Sequence, residues 1–195
     1  FPIPLKSNVN IIGAGTNEVT LYSGETIPDI IPRFFGSSEQ KNMIISGFKL
    51  TTFNNSYWLP FSFLGITNCK IHDIIMDGIN IHKEGVFRFL KASNIELSKI
   101  VLRNITTQEL LINFIGYWYS GTIKNCIFEN IHSIWDVANE DARTMCNFWV
   151  TDSLTVENCI FRNFSVSNNQ GTFNVSNNYC DNNHAPVYIS IKNCL

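Results

Sequence analysis

Three carboxylates crowd one short stretch of this 195-residue chain, where Asp136, Glu140 and Asp141 fall within Trp135-Asp136-Val137-Ala138-Asn139-Glu140-Asp141-Ala142-Arg143. Cleaving a glycosidic bond takes two carboxyl groups about 5 to 9.5 Å apart, one protonated and one ionised, and a segment of this length can bring such a pair together. A short solvated helical turn is the plainer account of the same residues. Their spacing is not that of a calcium-binding loop. Aromatic side chains gather nearby at Tyr117-Trp118-Tyr119 and Phe148-Trp149. Flat aromatic faces suit the apolar C–H faces of sugar rings, which makes Trp118 and Trp149, with Tyr117 and Trp135, the candidate ligand contacts; packing in a core or under a loop is the competing explanation. The four histidines, His72, His82, His132 and His184, are scattered without a nucleophile at a recognisable spacing and read as surface residues. No close Cys or His pair has zinc-finger spacing, so neither a metal nor a cofactor is expected.

The elements that position these residues emerge from an internal repeat. Nine-residue segments beginning at Ile45, Ile66, Leu97, Ile123 and Val156 align without gaps, and a sixth, Ile191-Lys192-Asn193-Cys194, begins the same way. The first, fourth, sixth and ninth places are apolar, which is neither helical periodicity nor unbroken alternation. Alternation between the fourth and sixth places marks a strand, and the longer steps on either side each need an extra residue to turn the chain. Asn holds the third place at Asn68, Asn125, Asn158 and Asn193, and the eighth at Asn104, Asn130 and Asn163. Asn tolerates left-handed backbone and bonds its own main chain, so it suits corners between short strands. Starting points lie 21 residues apart at the closest (45 to 66) and 35 at the widest (156 to 191). This pattern predicts an all-β chain: a single-stranded right-handed parallel β-helix, a solenoid of about six to seven coils, with equivalent side chains stacked about 4.8 Å apart. Residues 1–195 read as one domain.

The residues Leu5-Lys6-Ser7-Asn8-Val9-Asn10-Ile11-Ile12-Gly13-Ala14-Gly15 resemble the opening coil of the pectate-lyase-like β-helix superfamily, which includes polygalacturonases and phage tailspikes. The resemblance extends over nearly the whole chain and implies fold rather than reaction, since that superfamily holds hydrolases, lyases and inert stalks. The Asn-Thr-Asp, Asp-Asp, Gly-His-Gly and Arg-Ile-Lys motifs of polygalacturonases are absent, as are the Trp-Ile-Asp-His and Arg-x-Pro-x-x-Arg elements of pectate lyases.

Composition narrows the partners. A hydrophobic fraction of 45% with 13% aromatics can fill a sizeable core, while a net charge of -2 and only 15% charged residues leave no electrostatic footprint for nucleic acid or an anionic membrane surface. No apolar run approaches the roughly 18 residues of a membrane span. The chain opens on Phe1 and stops inside its recurring pattern, so it is expected to be an excerpt of a longer protein.

Repeat register assigns faces. Cys69, Cys126, Cys159 and Cys194 occupy the inward fourth place as small core residues, whereas Cys146 and Cys180 stand outside the register with their pairing open. The outward seventh place collects His72, Arg103, Glu129 and Arg162 into an alternating charge row, and the outward fifth place runs Lys49, Lys70, Val101, Ile127, Ile160. That growing apolar strip calls for a cover, either a loop or the other subunits of a homotrimer. Four glycosylation sequons, at Asn54, Asn104, Asn163 and Asn174, coincide in part with expected corners. The functional expectation is a β-helix segment of an extracellular or virion appendage that recognises surface polysaccharide. The alternatives are a polysaccharide hydrolase or lyase using Asp136, Glu140 and Asp141, and a purely structural stalk or adhesin.

Overall fold

The computed structural model describes residues 3–4, 6–22, 35–51, 60–81, 85–107, 112–134, 146–166, 173–176 and 188–195. Within them the chain is all-β. The strands are β1 (Ile3–Pro4), β2 (Asn10–Ile12), β3 (Thr20–Tyr22), β4 (Phe35–Ser38), β5 (Lys41–Thr51), β6 (Phe61–Leu64), β7 (Thr67–Asp77) and β8 (Asn80–Ile81). They continue with β9 (Phe87–Leu90), β10 (Ser93–Thr107), β11 (Ile112–Lys124), β12 (Ile127–Ser133), β13 (Cys146–Glu157), β14 (Ile160–Val166), β15 (Phe173–Ser176) and β16 (Tyr188–Lys192). All belong to one 16-stranded sheet, and neighbours such as β5 and β7, β7 and β10, or β12 and β14 run parallel. A long parallel sheet of this kind is compatible with the parallel β-helix that the repeat predicts.

Three stacks of in-register strands make up the sheet. One passes through Ile11, Ile45, Ile71, Leu97, Ile123, Val156 and Ile191. A second joins β3, the later half of β5, the later half of β7, the later half of β10, β12 and β14. The third joins β1, β4, β6, β9, the start of β11, the start of β13 and β15. Long strands such as β10 cross from one stack to the next through a residue in left-handed conformation: Lys99 at φ 52 in β10, Asp73 at φ 53 in β7. Gly47, at φ 78, takes the same corner in β5; there the main chain of Gly13 comes so near that a Cβ would lie 2.5 Å from its carbonyl oxygen, a gap only glycine leaves open.

Polar ladders tie the corners together. Asn42 Nδ2 donates to Asn8 Oδ1 at 2.8 Å, Asn68 to Asn42 at 3.0 Å and Asn94 to Asn68 at 2.8 Å. Asn104 donates to Asp77 at 2.8 Å, Asn130 to Asn104 at 3.0 Å and Asn163 to Asn130 at 2.9 Å. A third ladder links Asn193 to Asn158 at 3.2 Å and Asn158 to Asn125 at 3.4 Å. Every one of these Asn residues has positive φ. The interior is continuous and apolar, with Phe61 stacked on Phe87 at 4.9 Å and Phe63 on Phe89 at 5.3 Å.

The copy beginning at Ile66 is out of register. Ile45 and Leu97 both pair with Ile71, five residues later, so the sequence separation across neighbouring strands is 26 residues there, as for Asn68 and Asn94, and widens to 33 between Asn130 and Asn163. Asn68 therefore belongs to the ladder of Asn8, Asn42 and Asn94, and Cys69 lies between Met43 and Ile95 rather than in the rank of Cys126 and Cys159. In the outward ranks Asp77 replaces His72 beside Arg103, and Ile75 replaces Lys70 beside Val101. The Cys126–Cys159 neighbourhood stands as expected: Ile160 N donates to Cys126 O at 2.9 Å. Cys69, Cys126, Cys146 and Cys159 are buried free thiols and Cys194 is a half-buried one. Burial pushes Cys69 up to about 12, and the hydrogen bond shared with Cys159, reinforced by burial, pushes Cys126 up as well, so these thiols act as core residues. Cys180 lies outside the described residues.

Candidate functional site

The acidic candidates Asp136, Glu140 and Asp141, together with Trp135, lie outside the described residues. The aromatic candidates Tyr117 and Trp118 are on β11 and Trp149 is on β13, two strands paired in parallel. Trp118 pairs with Val150, the residue after Trp149, at a register shift between Phe114 and Ser120. Such an irregularity interrupts the regular backbone pairing of the two strands. The backbone thus brings Trp118 and Trp149 onto neighbouring strands at one irregular point. Buried Ile112 on β11 and buried Cys146 and Phe148 on β13 anchor those strands from within.

The same stack carries a row of polar residue types. Ser62 pairs with Arg88, Arg88 with Asn113, Asn113 with Asn147 and Asn147 with Asn174, one from each of β6, β9, β11, β13 and β15. Alternation along β9 sets Arg88 between buried Phe87 and Phe89. The backbone register therefore sets polar residue types at successive cross-strand positions beside the strands that carry Trp118 and Trp149.

No family model matches the sequence, and no curated protein aligns with it significantly. Among solved structures, the chain is similar to a candidate glycosyl hydrolase from Parabacteroides merdae, with 12% sequence identity and a TM-score of 0.35 over 100% of this chain and 76% of that one. A likeness this remote leaves both fold and chemistry to be argued from the chain itself.

A second group, on the stack through Leu97, is invisible under the misaligned repeat. Ser46, His72, Ser98 and Lys124 form one cross-strand row, spaced 26 residues apart in sequence like the Asn68–Asn94 pair beside it. Counting that interval through the sequence is the signal that would have found it. His72 Nδ1 lies 2.6 Å from Asp73 Oδ2. Ser98 Oγ donates to Glu96 Oε1 at 3.0 Å, and Lys124 Nζ reaches Glu96 Oε2 at 3.2 Å. Burial opposes ionisation of Glu96, but hydrogen bonds from Ser98 and Lys124 and the charges of Lys124 and Lys70 outweigh it and hold the carboxyl below its usual range. On the second stack, Arg103 pairs with Asp77 at 2.8 Å and Arg162 with Glu129 at 2.7 Å, which leaves Glu129 an ion-pair partner on an open face. Among the described residues no group of three or more His, Cys, Asp or Glu is arranged to hold a metal ion.

Proposed function

We propose that the chain is a segment of a right-handed parallel β-helix from an extracellular or virion appendage, and that it recognises surface polysaccharide through the stack of β6, β9, β11, β13 and β15. The observation that carries this reading is the in-register row Ser62, Arg88, Asn113, Asn147 and Asn174 on the strands that also bear Trp118 and Trp149. A glycan chain is itself a repeating array of hydroxyls with apolar ring faces. Amide-bearing residues at successive backbone positions, on strands that also carry tryptophans, match it in residue type, and a parallel sheet offers a rigid scaffold that limits the entropic cost of binding. A circuit of 26 residues, where no longer segment intervenes, is supported by the hydrogen bonds from Asn94 to Asn68 and from Asn130 to Asn104, each across 26 residues of sequence.

Retention on an array of acidic and neutral polysaccharides tests the reading. Trp118→Ala and Trp149→Ala should each weaken retention by about 2- to 10-fold, the worth of one aromatic contact. Retention unchanged in both variants, or no glycan held by the unaltered chain, would remove the proposal. The outward row Ile75, Val101, Ile127 and Ile160 is half-buried and apolar, the kind of strip that assembly into a homotrimer would cover. Sedimentation velocity reads this directly, and a monomer at all concentrations would discard the trimer.

A further inference from the structure

We infer that Cys159 and Cys194 form a two-coordinate site for a soft monovalent cation, copper(I), with Cys126 as the thiol that donates a hydrogen bond to the inner ligand. The site is independent of the proposed glycan face. Cys126, Cys159 and Cys194 each stand two residues past the end of β11, β13 or β16. Each follows a left-handed Asn of the ladder Asn125, Asn158 and Asn193, whose members are 33 and 35 residues apart in sequence. Ile160 N donates to Cys126 O at 2.9 Å and Leu195 N to Cys159 O at 3.0 Å, so the three cysteines are in register from strand to strand. Their side chains repeat one pose: Cys126 Sγ lies 3.3 Å from Lys124 O, Cys159 Sγ 3.2 Å from Glu157 O and Cys194 Sγ 3.3 Å from Lys192 O.

Side chains in one pose on neighbouring parallel strands stand at the strand spacing, about 4.8 Å. Two metal–thiolate bonds of about 2.3 Å in line span about 4.6 Å, so an ion fits between such sulfurs with little movement. A disulfide instead needs them about 2 Å apart with a torsion near 90°, which two identical poses do not provide. The surroundings select the ion. The thiols pack in or against the apolar core, and among the described residues no group of three or more His, Cys, Asp or Glu is arranged to hold a metal. Zinc and harder divalent ions are therefore short of ligands, while two thiolates alone suit copper(I).

The rank of thiols has a direction. Cys126 and Cys159 are fully buried and Cys194 is half-buried, so an ion enters from the Cys194 side. Cys159 accepts hydrogen bonds from the thiols on both sides, and that from Cys126, the larger, outweighs burial and lowers Cys159 to about 7. Donating to Cys159, together with burial, pushes Cys126 up, so Cys126 keeps its proton and Cys159 supplies the thiolate. On binding, the cation bonds to both sulfurs, Cys194 gives its proton to water, and no electron is transferred. Cys126 goes on donating to the Cys159 sulfur, a hydrogen bond to a ligand atom of the kind that sets metal affinity.

Titration of the unaltered chain with copper(I), kept reduced without oxygen and in competition with bicinchoninate, tests the assignment, read by native mass spectrometry and by X-ray absorption at the copper edge. One copper per chain is expected, with two sulfur neighbours at about 2.3 Å. Cys159→Ser and Cys194→Ser should each lose it. Cys126→Ala should weaken binding roughly 10-fold, and Cys126→Ser, whose hydroxyl still donates, should restore most of that loss. Cys69→Ala, which alters a buried thiol between Met43 and Ile95, should leave binding unchanged. If Cys159→Ser does not fold, Cys194→Ser and the sulfur count on the unaltered chain decide. No copper held against the chelator, nitrogen or oxygen neighbours in the absorption spectrum, or binding indifferent to Cys194 would overturn the inference.

Discussion

Asn130 carries two burdens at once. Its amide donates to Asn104 and its carbonyl accepts from Asn163, while its backbone sits at φ 53. Left-handed conformation costs an ordinary L-residue roughly 1–2 kcal/mol, and an exposed hydrogen bond is worth about 0.5 kcal/mol or a little more. Asn130→Ala should therefore destabilise by about 2 kcal/mol in urea unfolding, and Asn130→Gly, which relieves the backbone but loses the same bonds, by about half as much. Equal losses would mean that conformation is not what selects Asn. Glu96 offers a pH test. Its carboxyl is held below the ordinary 4.5, so its contribution is full above that value and is lost as pH falls through the lower folded value. Because its ion pair with Lys124 is partly exposed, Glu96→Gln should cost less than about 1 kcal/mol at neutral pH. The difference from the unaltered chain should close as pH drops below 4.5. A difference that persists to pH about 3 would assign the loss to packing instead.

Strands and corners show what the residue pattern could convey and where it failed. The apolar rank through Leu97, Ile123, Val156 and Ile191 was legible, because inward places alternate with polar ones and each copy carries its own corner. The copy at Ile66 misled for a physical reason. Different corners can share one local pattern, a left-handed Asn followed by a buried residue, so Asn68-Cys69 and Asn125-Cys126 look alike although they turn different corners. A five-residue slip followed, and it hid the row of Ser46, His72 and Ser98 by moving His72 into the charge row that Asp77 occupies. Of the candidate glycan site, pairing places Trp118 and Trp149 on neighbouring strands, a proximity that no local pattern encodes because it depends on a register shift within β11. The aromatic interior gives the element-scale prediction. Phe87 is fully buried and stacks on Phe61 at 4.9 Å, so Phe87→Ala should cost about 3–5 kcal/mol in denaturant unfolding, with Phe87→Leu distinctly milder. A loss below about 1 kcal/mol for the Ala variant would mean that the stack is not close-packed.

Across the described residues, parallel strands that meet their neighbours in register, apart from the shift between β11 and β13, make stability a chain of local terms. Leu97 pairs directly with Ile123, both buried, so Leu97→Ala and Ile123→Ala should fail to add, with a coupling of about 0.5–3 kcal/mol. Ile45 and Val156 belong to the same rank but are separated by Ile71, Leu97 and Ile123, about 19 Å at the spacing of parallel strands. Their Ala substitutions should add to within about 0.5 kcal/mol. A double-mutant cycle in urea measures both pairs on the same scale. Strong coupling at the distant pair would require a contact that in-register stacking does not contain, and weak coupling at the near pair would deny that Leu97 and Ile123 share a packed interior.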